Sequence, residues 1–141
     1  MSIKEKEKKI ISEFELFDDW MDKYNYLIEL GKKLPVYNDE YKTTDKLISG
    51  CQSQMWLYTE FKDGKVYFYA ESDAIITKGI AYLLLSVLSE ESPDDIINAS
   101  MDFIDTIGLT NHLSPTRSNG LNAMLKQMKL YALAFKRISI N

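Results

Sequence analysis

The chain has 141 residues, a length that suits one domain of ordinary size. Hydrophobic residues make up 45% and charged residues 27% of it, a balance that argues against a disordered chain, a collagen or a membrane bundle. A single Cys and a single His exclude an internal disulfide framework and a metal site built from several Cys and His residues of this chain.

The net charge is −4, and the sequence contains no block of basic residues. Because neutralisation of phosphates supplies most nucleic-acid affinity, we expect no nucleic-acid partner. The longest apolar stretch, near residues 80–88, falls short of the roughly 20 residues that cross a bilayer, and no signal-peptide pattern opens the chain. We therefore expect no membrane association and a cytoplasmic location, where reducing conditions keep the lone thiol free.

Two helices are predicted before residue 36. Asp19 is in position to cap the second helix, which ends at Gly31, and Pro35 prevents its continuation. Residues 36–49 are polar and irregular and predict a loop. The first helix is indicated by apolar residues at helical spacing after a run of Lys and Glu: Ile10, Ile11, Phe14 and Phe17.

A β-hairpin is predicted next, from two strand-like runs at residues 54–62 and 65–72. Asp63-Gly64 joins them and is typical of a two-residue hairpin turn. The first run is apolar on both faces near residues 55–58, so it predicts the more buried strand.

Helical patterns fill the second half of the chain. Asp73 is in position to cap a central helix, and Ser92 to cap the next one, with Pro93 at its first position. A short helix near residues 101–107 is predicted to end at Gly108.

A last helix is predicted over about residues 116–138. The order of elements predicts a single α+β domain over residues 1–141, in which N-terminal and C-terminal helices cover a small antiparallel sheet, the hairpin 54–62/65–72. The chain lacks the alternating strands and helices of a parallel nucleotide-binding sheet, and it lacks a glycine-rich phosphate loop.

The strongest local feature is the run Ser49-Gly50-Cys51-Gln52-Ser53-Gln54, between the polar loop and the first strand. A lone Cys is most simply a small buried hydrophobe. A core Cys, however, normally lies inside an apolar run, whereas Cys51 is flanked by Gly, Gln and Ser. Gly50 permits an unusual backbone conformation at this junction, where another molecule can approach. Cys51 is therefore a candidate functional thiol.

A lone thiol can attack a disulfide or persulfide sulfur, and a nearby cation would increase its thiolate fraction. Arg117 is a candidate for that cation, because the chain uses Lys almost everywhere else; the alternative is a solvated charge at a helix end. His112 is more simply a hydrogen-bonding brace of its loop than a base. Glu29 is most simply a solvated or ion-paired residue, and Asp73 a structural one.

Four blocks of the chain resemble, in order and in spacing, the SufE/CsdE family of sulfur-acceptor proteins. Residues 49–56 are similar to that family's active loop, and residues 26–35 to its second helix. Residues 72–79 resemble the start of its central helix, and residues 109–121 resemble its last loop and helix start. One departure is Met55, where a branched aliphatic residue is commoner.

The resemblance implies an α+β fold similar to that of the IscU-type cluster scaffold. It also implies that a SufS/CsdA-like cysteine desulfurase holds sulfur as a persulfide, and that Cys51 takes this sulfur and carries it to an iron–sulfur scaffold complex. Pyridoxal phosphate would belong to the desulfurase, so we expect this chain to bind no cofactor and no metal and to be no autonomous catalyst. Gly50, Gln52 and Arg117 are the expected supporting residues around the thiol.

Two alternatives remain at this point. In the first, the chain is a non-covalent adaptor whose docking alone stimulates the desulfurase, and Cys51 is incidental. In the second, it is a thiol redox sensor or peroxidase, although the chain has no second Cys to resolve an oxidised thiol.

Overall fold

Two α-helices precede the hairpin in the computed structural model, which describes residues 1–50 and 53–140. Helix α1 spans Ile3–Phe14 and helix α2 spans Trp20–Gly31. The carboxylate of Asp19 accepts a hydrogen bond from the backbone N–H of Asp22 at 2.9 Å, which confirms Asp19 as the cap of α2.

The hairpin consists of β1 (Met55–Lys62) and β2 (Lys65–Ser72), which pair antiparallel in one two-stranded sheet. Asp63 and Gly64 connect them with φ angles of 53° and 77°. Both angles are positive, as a two-residue turn that matches the twist of the strands requires. The predicted hairpin is therefore confirmed, with β1 beginning at residue 55 instead of 54. The prediction that the first strand is the more buried one was wrong: more residues of β2 are buried, because one face of β1 is left only half-covered.

Among the described residues, four α-helices follow the hairpin. The side chain of Ser92 accepts a hydrogen bond from the backbone N–H of Asp95 at 3.2 Å, and Pro93 opens its helix, as predicted. The four helices after the hairpin are α3 (Ile75–Leu88), α4 (Pro93–Asn98), α5 (Phe103–Thr106) and α6 (Pro115–Ile140).

Helices α2 and α3 meet at a pair of glycines. A Cβ built on Gly79 would lie 2.4 Å from the carbonyl oxygen of Leu27, and one built on Gly31 would lie 2.7 Å from the backbone nitrogen of Gly79. Helix α2 does end at Gly31, but Lys32 follows it with a φ of −69°, so no left-handed cap is formed. The predicted end of the helix at Gly31 is confirmed, and glycine is required there by the close approach of α3.

The core lies between the helices and one face of the hairpin. Alternate residues of β2 are buried, and they pack with apolar residues of the helices on both sides of the hairpin in the chain. This arrangement confirms the predicted α+β fold. Within residues 1–50 and 53–140, every helix is too short or too polar to span a bilayer. The core includes Phe14, Leu27, Leu57, Phe68, Leu84 and Met128.

Candidate functional site

The segment 49–54, which contains the only cysteine of the sequence, is closed at its base by backbone pairing. The N–H of Ile48 donates to the carbonyl of Met55 at 2.9 Å. Leu47 and Trp56 form an antiparallel bridge one residue further out. The predicted loop therefore ends in residues that pair with β1, and this pairing anchors both ends of segment 49–54 to the sheet.

Cys51 and Gln52 lie outside the described residues, so the structure defines the segment through its neighbours Gly50 and Ser53. Gly50 has a φ of 86°, in the left-handed region that favours glycine. A Cβ at this position would lie 3.8 Å from that of Ala123, an ordinary contact. Backbone conformation, and not lack of space, is therefore what favours glycine at position 50.

The exit of the segment is bonded to the end of the hairpin. The carbonyl of Gln54 accepts hydrogen bonds from the hydroxyl of Ser72 at 2.8 Å and from the N–H of Asp73 at 3.3 Å. The Ser72 hydroxyl in turn accepts a hydrogen bond from the backbone N–H of Ala74 at 3.3 Å. The prediction that Asp73 caps α3 was wrong: the helix begins at Ile75, so the cap position falls on Ala74 and the Asp73 side chain is exposed.

A cavity of about 320 Å³ lies beside segment 49–54, between the start of β1, helix α3 and the start of α6. Four hydroxyl groups and one guanidinium belong to the described residues around it, together with apolar side chains. The lining consists of Ser53, Met55, Thr77, Ile80, Ser114, Thr116, Arg117, Gly120 and Leu121.

Arg117 is the one charged residue among the described residues that line this cavity. It lies in the first turn of α6, where its backbone N–H donates to the hydroxyl of Ser114 at 3.3 Å. Its side chain is exposed and forms no ion pair with any residue in the described ranges. Arg117 thus shares a cavity with Ser53, which follows Cys51 by two positions in the chain, and its guanidinium is open to an anion.

Thr77 is a lining residue that the sequence analysis missed. It is buried and lies on α3, in a helix face that is otherwise apolar. A polar residue one turn before Ile80 in such a face was the signal that could have identified it.

His112 and Glu29 have structural roles away from the cavity. The imidazole of His112 stacks on the ring of Trp20 at 3.8 Å, and its Nδ1 lies 3.0 Å from the carbonyl oxygen of Gly108. These contacts agree with the interpretation of His112 as a brace of its loop. Glu29 forms an exposed ion pair with Lys32 at 2.8 Å.

Metal coordination has no candidate within the described part of the chain. No group of three or more His, Cys, Asp or Glu residues there is arranged to hold an ion. The chemistry that the described lining offers is therefore hydrogen bonding from hydroxyls and attraction of an anion by one guanidinium.

Comparisons with known proteins agree with this architecture. Residues 8–132 match the model of the family described as SufE, an Fe-S metabolism associated domain. The chain is 37% identical over 126 residues to an uncharacterized SufE-like protein of Rhizobium meliloti (strain 1021), a match that covers 86% of this chain and 90% of that protein.

A solved structure is similar in fold. The solution structure of a hypothetical protein from Thermus thermophilus matches with a TM-score of 0.76 at 24% identity, over 92% of this chain and 94% of that one. This likeness bears on the fold alone, whereas the match to the family model covers most of the sequence. The chain therefore belongs to the SufE family, whose domain is associated with iron–sulfur metabolism.

Proposed function

We propose that this protein is a sulfur acceptor and carrier. Cys51 takes sulfur from the persulfide of a SufS/CsdA-like cysteine desulfurase, stimulates that enzyme by removing its product, and delivers the sulfur to an iron–sulfur scaffold complex. Pyridoxal phosphate belongs to the desulfurase, and this chain acts through a covalent persulfide without being an autonomous catalyst.

The proposed step is a thiol exchange in which no net oxidation occurs. The thiolate of Cys51 attacks the outer sulfur of the desulfurase persulfide. A new S–S bond forms on Cys51 while the S–S bond on the desulfurase breaks, and the desulfurase cysteine leaves as a thiolate. The proton of the transferred sulfur stays with it or passes to water, so atoms and electrons balance without an added oxidant or reductant.

The observation that carries the proposal is that this member of the SufE family has a single cysteine, Cys51, and that it lies in segment 49–54. Cys51 belongs to segment 49–54, whose ends are joined by the Ile48–Met55 hydrogen bond beside a hydroxyl-lined cavity. A single thiol suits a carrier, because a second one nearby would attack the persulfide and release its sulfur as sulfide. A cluster scaffold would need more thiol ligands than this chain contains.

Three residues are proposed to support the thiol. Arg117 would stabilise the thiolate and the persulfide anion by its positive charge. Gly50 would hold the turn that precedes Cys51, because its φ of 86° is unfavourable for other residues. Gln52, outside the described residues, is proposed as a polar neighbour of the thiol.

The proposal extends to the setting of the protein. We place it in the cytoplasm, where reducing conditions keep a lone thiol free. We treat residues 1–141 as one domain, because buried residues from Ile3 to Ala132 share one apolar core. The acidic net charge of −4 supports a protein partner over nucleic acid.

The test is an intact-mass measurement after incubation with the desulfurase and free cysteine. The expected result is a gain of one or more sulfur atoms that a thiol reductant removes and that is absent in Cys51→Ser. An unchanged mass of the wild-type protein, under conditions where the desulfurase releases sulfide, would overturn the proposal.

A second measurement, the rate of the desulfurase with and without this protein, distinguishes the carrier from a non-covalent adaptor. A carrier requires the thiol, so Cys51→Ala should lose the stimulation of the desulfurase. Full stimulation by Cys51→Ala would favour the adaptor.

A further inference from the structure

The face of the hairpin that is turned away from the helical core carries aromatic and acidic side chains. The residues of this outer face are half-buried and alternate along the strands with the buried residues of the core. The half-buried residues stand directly opposite one another in three pairs, and the exposed Lys62 and Lys65 form a fourth pair beside the turn. The three half-buried pairs are Trp56 with Glu71, Tyr58 with Tyr69, and Glu60 with Tyr67.

Lysines of the chain itself already occupy part of this outer face. Lys42 lies over the ring of Trp56, with its Nζ 5.7 Å from the ring centroid. Lys62 lies over the ring of Tyr67 at 4.9 Å. Glu71 is paired with Lys78 at 3.6 Å.

The remaining groups are Tyr58, Tyr69 and Glu60, and the charge of Lys62 also acts on Tyr69. Glu60 forms no ion pair with any residue in the described ranges, and no described Lys or Arg lies over the ring of Tyr58 or Tyr69. Among the described residues, the outer face therefore has one set of cation-attracting groups without an ion pair or a cation stacked on a ring.

These three groups line a cavity of about 270 Å³ together with residues of the loop before β1. The ring of Tyr41 stacks on that of Tyr58, with centroids 3.8 Å apart and planes 6° apart. The rings of Tyr58 and Tyr69 are 6.0 Å apart. The side chain of Val36, which is 95% exposed, stands at the rim of this cavity.

The Glu60 carboxylate is among the groups that raise the pKa of both Tyr58 and Tyr69. Burial raises the pKa of Tyr69, the charge of Glu60 raises it further, and the charge of Lys62 partly opposes this rise. The hydroxyl of Tyr41 raises the pKa of Tyr58, with further contributions from burial and from Glu60. Both phenols are neutral at physiological pH, as tyrosines ordinarily are, so the one negative charge among these three groups is that of Glu60.

We propose that Tyr58, Tyr69 and Glu60 form a docking site for an arginine side chain of a partner protein. The guanidinium plane can lie against a tyrosine ring while its N–H groups donate to the Glu60 carboxylate. The exposed Val36 offers an apolar contact for the methylene stem. The acidic net charge of the chain favours the approach of a cationic segment.

This docking site is separate from the cavity beside segment 49–54. Met55 lines that cavity and Tyr58 lines this one, and the two side chains lie on opposite faces of β1 because side chains alternate along a strand. The inference therefore does not rest on the proposed transfer of sulfur to Cys51.

The test measures the binding of two short peptides to the 141-residue protein. Binding is followed by the NMR chemical shifts of the protein's backbone amides. One peptide is acetyl-alanyl-arginyl-alanine amide, and the other carries citrulline, the neutral isostere, in place of arginine. We expect the arginine peptide to shift the amides around Tyr58 and Tyr69 at millimolar concentration. The citrulline peptide should bind about tenfold more weakly, because it lacks the charge that both the rings and Glu60 attract.

Two matched variants locate the contact. Glu60→Gln removes the unpaired carboxylate and should weaken the arginine peptide about tenfold, whereas Glu71→Gln removes a carboxylate of the same face that Lys78 already pairs and should leave binding unchanged. Equal shifts with the two peptides, shifts confined to other surfaces, no shifts at all, or equal binding by Glu60→Gln and the wild type would each overturn the proposal.

Discussion

The backbone N–H of Ile48 donates to the carbonyl of Met55 at 2.9 Å, and this hydrogen bond joins the two ends of segment 49–54. Both residues are buried, so the bond fixes the base of the segment to the core. A change inside the segment is therefore expected to alter the chemistry proposed for Cys51 more than it alters the stability of the fold.

The variant Gly50→Ala tests whether a change inside segment 49–54 affects the chemistry of Cys51 more than it affects the stability of the fold. Gly50→Ala should lower the free energy of unfolding by about 1 kcal/mol, because a residue with a Cβ is strained at a φ of 86°. It should also slow the appearance of the persulfide on Cys51, measured by intact mass. Gly64→Ala is the matched control: its φ is 77° and nothing lies within 4 Å of its new Cβ. It should show the same loss of stability with unchanged sulfur acceptance, and equal acceptance by both variants would contradict a role for Gly50.

Arg117 is expected to support the thiol through its charge. Arg117→Ala should slow sulfur acceptance about tenfold without changing the unfolding midpoint, since the side chain is exposed. The alkylation of Cys51 should also shift to higher pH, because the cation that favours the thiolate has been removed.

Two variants control for the charge of Arg117. Arg117→Lys should recover part of both effects, and Arg137→Ala, at the exposed end of α6, should behave as the wild type. Wild-type rates and an unchanged pH profile for Arg117→Ala would return this residue to the class of solvated surface charges.

The contact between α2 and α3 should tolerate no side chain at Gly79. The Cβ of Gly79→Ala would lie 2.4 Å from the carbonyl oxygen of Leu27, a backbone atom that cannot move without shifting α2. We expect a loss of about 3 kcal/mol in the free energy of unfolding, measured by urea denaturation. A loss no larger than the roughly 1 kcal/mol expected for Gly64→Ala would show that the two helices separate easily.

Tyr37 should make the fold sensitive to alkaline pH. Its hydroxyl donates to the carbonyl of Tyr41 at 2.8 Å, and burial, followed by nearby charges, raises its pKa from 10.0 to about 12. In the unfolded chain Tyr37 loses its proton first, so its contribution to stability is complete below pH 10.0 and is lost as the pH rises to about 12.

The variant Tyr37→Phe isolates this contribution. Its unfolding free energy should fall less steeply than that of the wild type between pH 10.0 and about 12, and the two slopes should agree near neutral pH. Parallel slopes across the whole range would show that Tyr37 is not the group responsible.

Local signals in the sequence predicted most of the elements. The caps Asp19 and Ser92 and the turn Asp63-Gly64 act within a few residues of themselves, so their hydrogen bonds and φ angles could be read from neighbouring residues. Asp73 failed as a cap because the boundary of α3 moved by one residue, a shift that periodicity does not resolve.

Pairings between distant residues could not be read in the same way. The bridge between Leu47 and Trp56 joins a segment without strand periodicity to β1. Glycine is needed at position 31 because the backbone of Gly79 lies against it, and Gly79 belongs to α3, which follows much later in the chain. Such contacts depend on how the elements pack, and no local pattern encodes that packing.

The sequence by itself determined that the chain has a single thiol at Cys51, with the residue types that surround it, and that a hairpin follows. Only the tertiary structure decided that Ser53, Thr77 and Arg117 line one cavity. These three residues come from different elements, and their proximity arises because α3 and α6 pack against the same face of the hairpin, where burial of apolar surface holds them together.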